Sequence, residues 1–208
     1  MEIVKRCFLH AICMNKVILT RYLLTIIFCL TTFISGHSQT LALRTNLLYD
    51  ATLSPNLGVE MRIDSLWSLG LSAGLNAWDI DKEQNKKWRH MLFSFRARKY
   101  NSELFHKGYF ETDLIYSHYN ISKVKLPFGL YPTLKDRRFQ GDLLALGGKY
   151  GYGWILARDW RIEAEAGVAV GYAWYKEYDC PHCGTYLGDG DRIILLPQLG
   201  INVVYIIN

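Results

Sequence analysis

The residues with the clearest chemical potential are two cysteines in the segment DCPHCGTYLGDGD, residues 179–191. Cys180 and Cys183 have the spacing of a redox dithiol and of one half of a zinc knuckle. A redox dithiol depends on a helix N-terminus that lowers the pKa of its thiol, and strand-like sequence flanks this pair. Structural zinc needs four ligands, and no second cysteine pair follows residue 38. We therefore expect no cofactor and no metal site here.

The adjacent pair Ser117 and His118 is the best candidate for catalysis. A serine beside a histidine resembles the nucleophile and base of a hydrolase, with an acid as the orienting group. Neighbouring residues in a strand point to opposite faces of a sheet, so these two side chains cannot easily hydrogen-bond. The glycines of GGKYGYG lack the spacing and the following helix of a phosphate loop. We therefore expect no catalytic residues and no enzyme activity.

Residues 1–38 predict a secretory signal peptide. Four basic residues, Lys5, Arg6, Lys16 and Arg21, precede an apolar run over residues 22–34, and Gly36 and Ser38 supply the small residues of a cleavage site. Residues 39–208 then form a single domain, since their number suits one core.

Export also decides how the cysteines and the charge are interpreted. Three of the five cysteines lie in the leader, so Cys180 and Cys183 are the two that reach an oxidising compartment. We expect a disulfide between them that stiffens their loop, with free thiols or intermolecular pairing as the alternatives. Much of the formal net charge of +5 also leaves with the leader, so the composition gives no case for nucleic-acid binding.

Beyond residue 40 the sequence alternates between apolar and polar residues, which is the pattern of β-strands with two different faces. The segment WRIEAEAGVAVGYAW, residues 160–174, is among the clearest of about eight such segments. The pattern predicts an all-β fold, an eight-stranded antiparallel up-and-down β-barrel. Two irregularities are expected: a bulge at Lys149, which falls on the apolar row, and a break at Pro197, which lacks an N–H group.

The connections and the aromatic residues favour a barrel of the outer-membrane type. With both termini on the periplasmic side, the long connections near residues 51–55, 79–87, 120–138 and 176–190 lie on the outer side. Tyrosines and tryptophans near the ends of the apolar rows match the aromatic girdles of membrane proteins. A soluble lipocalin-type barrel has the same two-residue period with its apolar row inside, and it is the alternative.

The polar row of the predicted barrel carries charges of both signs in nearly equal number. An eight-stranded barrel is too narrow for a channel, and an unpaired charge inside it would cost several kcal/mol. We therefore expect the charges to interlock as an ionic plug, which is inconsistent with a selective ion pore. The predicted interior charges are Arg44, Arg62, Arg96, Arg98, Glu60, Glu111, Asp113, Glu163, Glu165 and Arg192.

Several segments together resemble one known family. They include RTNLLYDATLSPNLGVEMRID, KKWRHMLFSFRARKY and GGKYGYGWILARDWRIEAEAGVAVGYAWYKEYDC. These segments are similar to the domain-of-unknown-function 3575 family of Bacteroidota outer-membrane β-barrel proteins, over essentially the whole chain after the leader. The resemblance implies an exported barrel, commonly discussed near fimbrial or surface-assembly genes, with no established catalytic activity.

The expected function is structural: an outer-membrane β-barrel with an anchoring or surface-assembly role. Its partners would be outer-membrane lipid and a surface or fimbrial protein that contacts the outer loops. The basic loop residues are interpreted either as a contact for anionic lipopolysaccharide or a partner, or as ordinary solvated charge. These residues are Lys123, Lys125, Lys135, Arg137 and Arg138. The rival classes are a membrane-embedded lipid-modifying hydrolase and a soluble periplasmic ligand-binding barrel.

Overall fold

The computed structural model describes residues 40–81, 83, 86–102, 104–125, 131–179 and 184–207. The chain from Thr40 onward forms one compact unit. The predicted signal peptide and both cysteines of the CPHC motif lie outside the described residues. No helix in the described ranges is long and apolar enough to cross a membrane.

Strands dominate the fold, in agreement with the alternating sequence pattern. The strands are β1 (Leu41–Asn46), β2 (Asn56–Arg62), β3 (Trp67–Asn76), β4 (Asp79–Asp81), β5 (Lys86–Tyr100), β6 (Lys107–Ser122), β7 (Arg137–Ile155), β8 (Trp160–Asp179) and β9 (Tyr186–Ile207). A short α-helix, α1 (Leu47–Ala51), follows β1, and a 3-10 helix (Pro132–Lys135) precedes β7. The prediction of an all-β fold is confirmed.

Antiparallel pairing closes eight of these strands into a ring. The order runs β3, β2, β1, β9, β8, β7, β6, β5, and β3 also pairs with β5, while the short β4 adds to β5. Starting at Arg44 and moving from each residue to its paired residue on the next strand leads around the ring to Ile194 on β9. Arg44 itself pairs directly with Val204, which lies ten residues further along β9. This stagger corresponds to strands tilted by about 40° in a closed barrel. The predicted eight-stranded up-and-down barrel is confirmed.

The two ends of the barrel differ. Short turns follow β2, β5 and β7 at one end, which we call the turn end, and β1 begins and β9 finishes there. The connections after β1, β3, β6 and β8 lie at the opposite end, the loop end. The strands β7, β8 and β9 are much longer than β1 and β2, so the wall is tall on one side of the loop end and low on the other.

Side chains alternate between the two faces of the ring, and the apolar row faces outward. On β8, Val168, Val170 and Trp174 are exposed on the outside, while Glu163 and Glu165 of the alternate row are buried inside. Eight strands leave an interior just wide enough for side chains. The inward row, which carries the buried charges, therefore fills the barrel.

The first strand is shorter than its sequence pattern predicts. The alternation continues to Asp50, but β1 ends at Asn46, whose side chain accepts a hydrogen bond from the N–H of Leu48 and caps α1. Asp50 accepts hydrogen bonds from Thr45 and Asn56, which ties α1 back to β1 and β2. Local capping chemistry therefore replaces the end of the strand with a turn of helix.

Lys149 lies on the inward row of β7, and no bulge is present there. The strand pairs with β6 and with β8 in an unbroken register on both sides of this residue. The predicted bulge is therefore wrong. The inward neighbours of Lys149 are Gly147 and Gly151, and small residues on the inward row leave room for a long side chain.

The predicted break at Pro197 is also wrong, because β9 keeps its register there. Val168 of β8 pairs with Pro197 without a shift. On its other side β9 pairs with β1 only as far as Asn202, so Pro197 lies on an edge to which no described strand bonds. On the same edge, the N–H and C=O of Leu195 both bond to the hydroxyl of Tyr131. Proline is tolerated on such an edge because no ladder hydrogen bond is lost.

We expect proline to be tolerated at position 197 but not at position 168, the paired residue on β8. Val168→Pro removes a donor from a strand that is paired on both sides, and it should lower the free energy of unfolding by about 1–3 kcal/mol. Pro197→Ala should change that free energy by less than about 1 kcal/mol. Equilibrium unfolding in urea, followed by tryptophan fluorescence, measures both. Equal losses for the two variants would contradict the edge position of Pro197.

Candidate functional site

A cluster of buried charges fills the barrel interior towards the turn end, and we call it the ionic core. Its nine side chains are all on inward rows, and none is more than 9 % exposed. They are Arg44, Arg96, Arg98, Lys149, Glu60, Glu111, Asp113, Glu163 and Glu165. Five acids and four bases therefore face one another in the buried interior.

Arg98 is the centre of the ionic core and is fully buried. Its Nη1 lies 2.9 Å from Glu163 and 3.4 Å from Glu60, and its Nη2 lies 3.0 Å from Glu165. Its Nε donates to Glu111. One side chain of β5 thus contacts carboxylates from β2, β6 and β8. Charge-assisted contacts of this kind are the strong ones in a protein interior.

Arg44 and Lys149 hold the same carboxylates from other directions. Arg44 donates to Glu163 and lies 3.8 Å from Glu111. Lys149 lies 2.7 Å from Glu111 and 3.1 Å from Glu165. Because these carboxylates each contact more than one base, the ionic core is a network rather than a set of separate pairs. Removal of one base therefore leaves several buried acids undercompensated.

An aromatic seal closes the barrel below the ionic core. Tyr100 packs against Phe105 and Tyr109, with ring centroids 5.7 and 5.4 Å away. The Tyr100 hydroxyl donates to Glu60 at 2.8 Å, and the Tyr109 ring lies 4.2 Å from Cζ of Arg98. The seal and the ionic core are therefore joined by hydrogen bonds and a cation–π contact.

A small cavity of about 60 Å³ lies above the ionic core. Tyr49 of α1, Asp113, Gln198 and Asn202 are among its lining residues. Oδ1 of Asp113, Oε1 of Gln198 and Nδ2 of Asn202 have no hydrogen-bond partner in the described part of the protein. A space of this size holds a few water molecules that would satisfy these atoms, and it is far below the roughly 300 Å³ of a small-molecule site.

The loop-end half of the interior is apolar. Ile115, Leu143, Ala145, Ala169 and Ala173 form a buried cluster there. With this cluster above, the ionic core in the middle and the aromatic seal below, the described interior offers ions no continuous polar path.

Eight of the ten charges predicted for the interior belong to the ionic core. Arg62 and Arg192 do not, because both are exposed: Arg62 is the last residue of β2, and Arg192 lies on the part of β9 that extends beyond β1 towards the loop end. Nε of Arg62 donates to the backbone carbonyl of Asp64 in the turn after β2. The predicted interior position is wrong for these two residues, since alternation determines the face of a residue but not its height along the barrel.

Three residues that complete the site are absent from the predicted set: Lys149, Tyr100 and Tyr109. The signal available for Lys149 is a lysine between Gly147 and Gly151 at two-residue spacing, which indicates an inward side chain with room around it. The two tyrosines carry no comparable signal, since tyrosine occurs on both faces of this barrel.

Ser117 and His118 point to opposite faces, as expected for neighbours in a strand. Ser117 is buried inside the barrel, while the His118 side chain is 49 % exposed on the outside. Nδ1 of His118 lies 2.9 Å from Oδ1 of Asp142, which also accepts a hydrogen bond from the hydroxyl of Tyr116. The serine and the histidine therefore cannot act together as nucleophile and base. Within the described ranges, no group of three or more His, Cys, Asp or Glu side chains could hold a metal ion.

The basic residues of the connection between β6 and β7 make different contacts. Arg137 forms an ion pair with Glu177. Arg138 donates to Asn120 at 2.9 Å and to Gln140 at 2.7 Å. Lys125 and Lys135 are exposed. The run is therefore not one uniform patch of solvated charge.

The profile of one protein family matches residues 23–207, far more than half of the sequence. Its description is a protein of unknown function, DUF3575. The chain belongs to the DUF3575 family. No curated protein and no solved structure matches it. The family resemblance inferred from the sequence motifs is confirmed, and the family description names no activity.

The disulfide predicted for this DUF3575 protein, Cys180 to Cys183, falls outside the described residues and stays a prediction. Their loop follows β8, where the N–H of Asp179 donates to the carbonyl of Thr185 at 2.9 Å. We expect neither thiol to react with maleimide before reduction and both to react afterwards, as measured by the mass of the labelled chain. Full labelling of both thiols without reductant would contradict the disulfide.

We expect Arg98→Met to destabilise the DUF3575 protein by about 3–5 kcal/mol, because it leaves buried carboxylates without their shared base. Glu163→Gln in the same chain removes one of those charges and should recover part of the loss. Arg158→Met, in the exposed turn after β7, is the matched control and should cost less than about 0.5 kcal/mol. Urea unfolding measures all three. A loss below about 1 kcal/mol for Arg98→Met would show that the network does not depend on this residue.

Proposed function

We propose that this protein is an exported outer-membrane β-barrel that acts as a non-catalytic anchor for the segments at its loop end. The observation that carries the proposal is the inverted arrangement of its faces, with apolar side chains outside and the ionic core inside. A soluble barrel has its apolar row inside and its polar row in water. So large an exposed apolar surface suits lipid and would favour aggregation in water.

The height of the outward apolar belt supports this location. Trp160 packs against Tyr205 near the turn end, and Tyr172 packs against Trp174 near the loop end. Trp160 and Tyr172 are twelve residues apart on β8, which at about 3.3 Å per residue and a tilt of about 40° corresponds to about 30 Å. Outer-membrane barrels have an apolar band of about 25 Å flanked by aromatic girdles.

The free edge of β9 exposes fewer unpaired backbone groups than an open strand would, and this also supports a lipid environment. Beyond the end of β1, helix α1 contacts β9. Further along this edge Pro197 removes one donor, and the hydroxyl of Tyr131 bonds to both backbone groups of Leu195. An unsatisfied backbone group in hydrocarbon costs several kcal/mol, so an edge with fewer free groups is compatible with lipid.

The filled interior favours anchoring over transport. Eight of the nine charges of the ionic core form ion pairs within the described part of the chain, Arg96 donates to Ser72, and apolar side chains fill the barrel above and below the core. The tall strands β7, β8 and β9 extend well beyond β1 at the loop end. Their ends and the connecting loops are the surface that we assign to a surface or fimbrial protein partner.

Neither rival class has comparable support. A lipid-modifying hydrolase needs a nucleophile next to its base, and Ser117 lies on the opposite face from His118. A soluble ligand-binding barrel needs an apolar interior with room for its ligand, and the cavity above the ionic core measures about 60 Å³.

We expect an arginine in the outward belt to distinguish lipid from water. Leu146 is 62 % exposed on the outward row of β7. In lipid vesicles, Leu146→Arg should lower the free energy of unfolding by about 2–4 kcal/mol, because the charge enters hydrocarbon. Leu156→Arg, in the turn after β7, is the matched control, since Leu156 is 61 % exposed but lies beyond the end of the strand; it should cost at most about 1 kcal/mol. Urea unfolding, read by heat-modifiable gel mobility, measures both variants.

Two results would contradict the membrane location. One is a water-soluble protein whose gel mobility does not shift on heating. The other is a Leu146→Arg variant as stable as the parent, since a surface exposed to water tolerates this change.

A further inference from the structure

The outward belt contains an apolar groove of about 450 Å³ that crosses β2, β3, β5, β6 and β7. Ala73 lies between Leu57 and Phe93, its paired neighbours on β2 and β5. Its small side chain makes the floor, and Tyr116 and Leu144 continue the groove across β6 and β7. The volume is within the range of about 300–1,000 Å³ found for small-molecule sites.

Three basic residues lie beyond the groove on the same outward rows, and we call them the basic platform: Lys87, Arg89 and Arg138. The register places Lys87 and Arg138 on either side of Ser122 in one cross-strand row. Arg89 lies four residues before Phe93 on β5, which places it about 13 Å nearer the loop end along the strand. The platform therefore lies just outside the apolar belt, where the phosphates of a bilayer lie.

The basic platform carries more positive than negative charge. Arg89 is paired with Asp79 at 2.8 Å. In the described part of the chain, Lys87 and Arg138 form no ion pair with a carboxylate. Arg138 donates to the neutral side chains of Asn120 and Gln140. Lys87 and Arg138 thus lie close together with the neutral Ser122 between them, while Asp79, the cross-strand neighbour of Lys87 on β4, is paired with Arg89. An anion would stabilise such an arrangement.

The lowered pKa of the Lys87 amine agrees with this arrangement. Partial burial and then the positive charge of Arg138 lower the pKa of the Lys87 amine, while Asp79 opposes them. An anion bound beside Lys87 would compensate the repulsion from Arg138.

We propose that the apolar groove and the basic platform form one binding site for a membrane lipid with an anionic phosphate headgroup. An acyl chain lies in the groove over Ala73, and the phosphate accepts hydrogen bonds from Lys87 and Arg138. Arginine and lysine are the usual partners of phosphate, and a planar guanidinium offers two parallel donors. This inference rests on the proposed membrane location.

Lipid titration of the folded protein in neutral detergent micelles tests the headgroup contact. Native mass spectrometry counts bound phosphatidylglycerol and, separately, phosphatidylcholine, which differ in net headgroup charge. We expect tighter binding of phosphatidylglycerol, and an affinity about 30-fold lower in the Lys87→Gln, Arg138→Gln double variant. The matched control is Arg62→Gln with Arg158→Gln, two exposed arginines at the turn end, which should leave the affinity unchanged.

A second pair of variants tests the groove. Ala73→Trp fills its floor and should lower the affinity for both lipids, while the protein stays folded because the new ring lies on the outward face. Ala166→Trp, on the outward row of β8 and outside the groove, is the matched control and should bind as the parent does.

Three results would overturn the site while leaving the proposed function intact, provided that the protein still inserts into vesicles and shifts on heating. They are equal affinities of the parent for the two lipids, full phosphatidylglycerol affinity in the double variant, and full affinity in Ala73→Trp. A protein that fails to insert at all would instead overturn the proposed function, and this site with it.

Discussion

A guanidinium that is fully buried in a narrow barrel is the constraint on which the rest of this structure depends. Arg98 has no water to solvate it, so carboxylates from three other strands surround it, and those acids in turn need Arg44 and Lys149. Long side chains of this kind fit only where the facing residues are small. A Cβ on Gly58 would lie 2.8 Å from Cγ of Arg44, and one on Gly70 would lie 3.0 Å from Cγ of Arg96. The inward glycines therefore provide the space that the inward charged side chains occupy.

The ionic core also explains how the strands keep their register. In the lipid environment proposed above, the outward apolar rows would gain nothing from one pairing over another, because every pairing would leave them in contact with hydrocarbon. A one-residue slip, however, moves each inward charge to the outward face. Because Arg98 links β5 to β2, β6 and β8, a slip of any one of these strands would separate the arginine from an acid. The network thus selects a single register where the apolar rows cannot.

Some of this architecture could be predicted from the sequence, and the limit is physical. The two-residue period gives the strands and their faces, which is why Glu163, Glu165 and Arg98 were predictable as inward residues. The period contains no information on height along the barrel, so it does not distinguish the buried charges from Arg62 at the end of β2 or from Arg192, beyond the end of β1. The regular pairing at Pro197 could not be predicted from β9 alone. It depends on β1, which ends at Asn46 and so leaves the edge of β9 at Pro197 without a paired strand in the described ranges. The capping of α1 by Asn46 is local chemistry that the apolar pattern of the same residues conceals.

The unequal strand lengths place the residues that stabilise the fold and the residues proposed to bind a partner at opposite ends of the barrel. The ionic core and the aromatic seal lie towards the turn end, where all eight strands of the ring are present. Near the loop end β1 and β2 have ended, so β9 is left with β8 as its only paired strand in the described ranges, whereas β7 and β8 stay paired on both sides. Beyond the buried cluster of Ile115, Leu143 and Ala173, a local opening breaks few buried contacts, so the outermost strand ends can adapt to the proposed partner while the ionic core stays intact. Changes at the loop end should therefore affect binding more than folding, which agrees with the anchoring role proposed above.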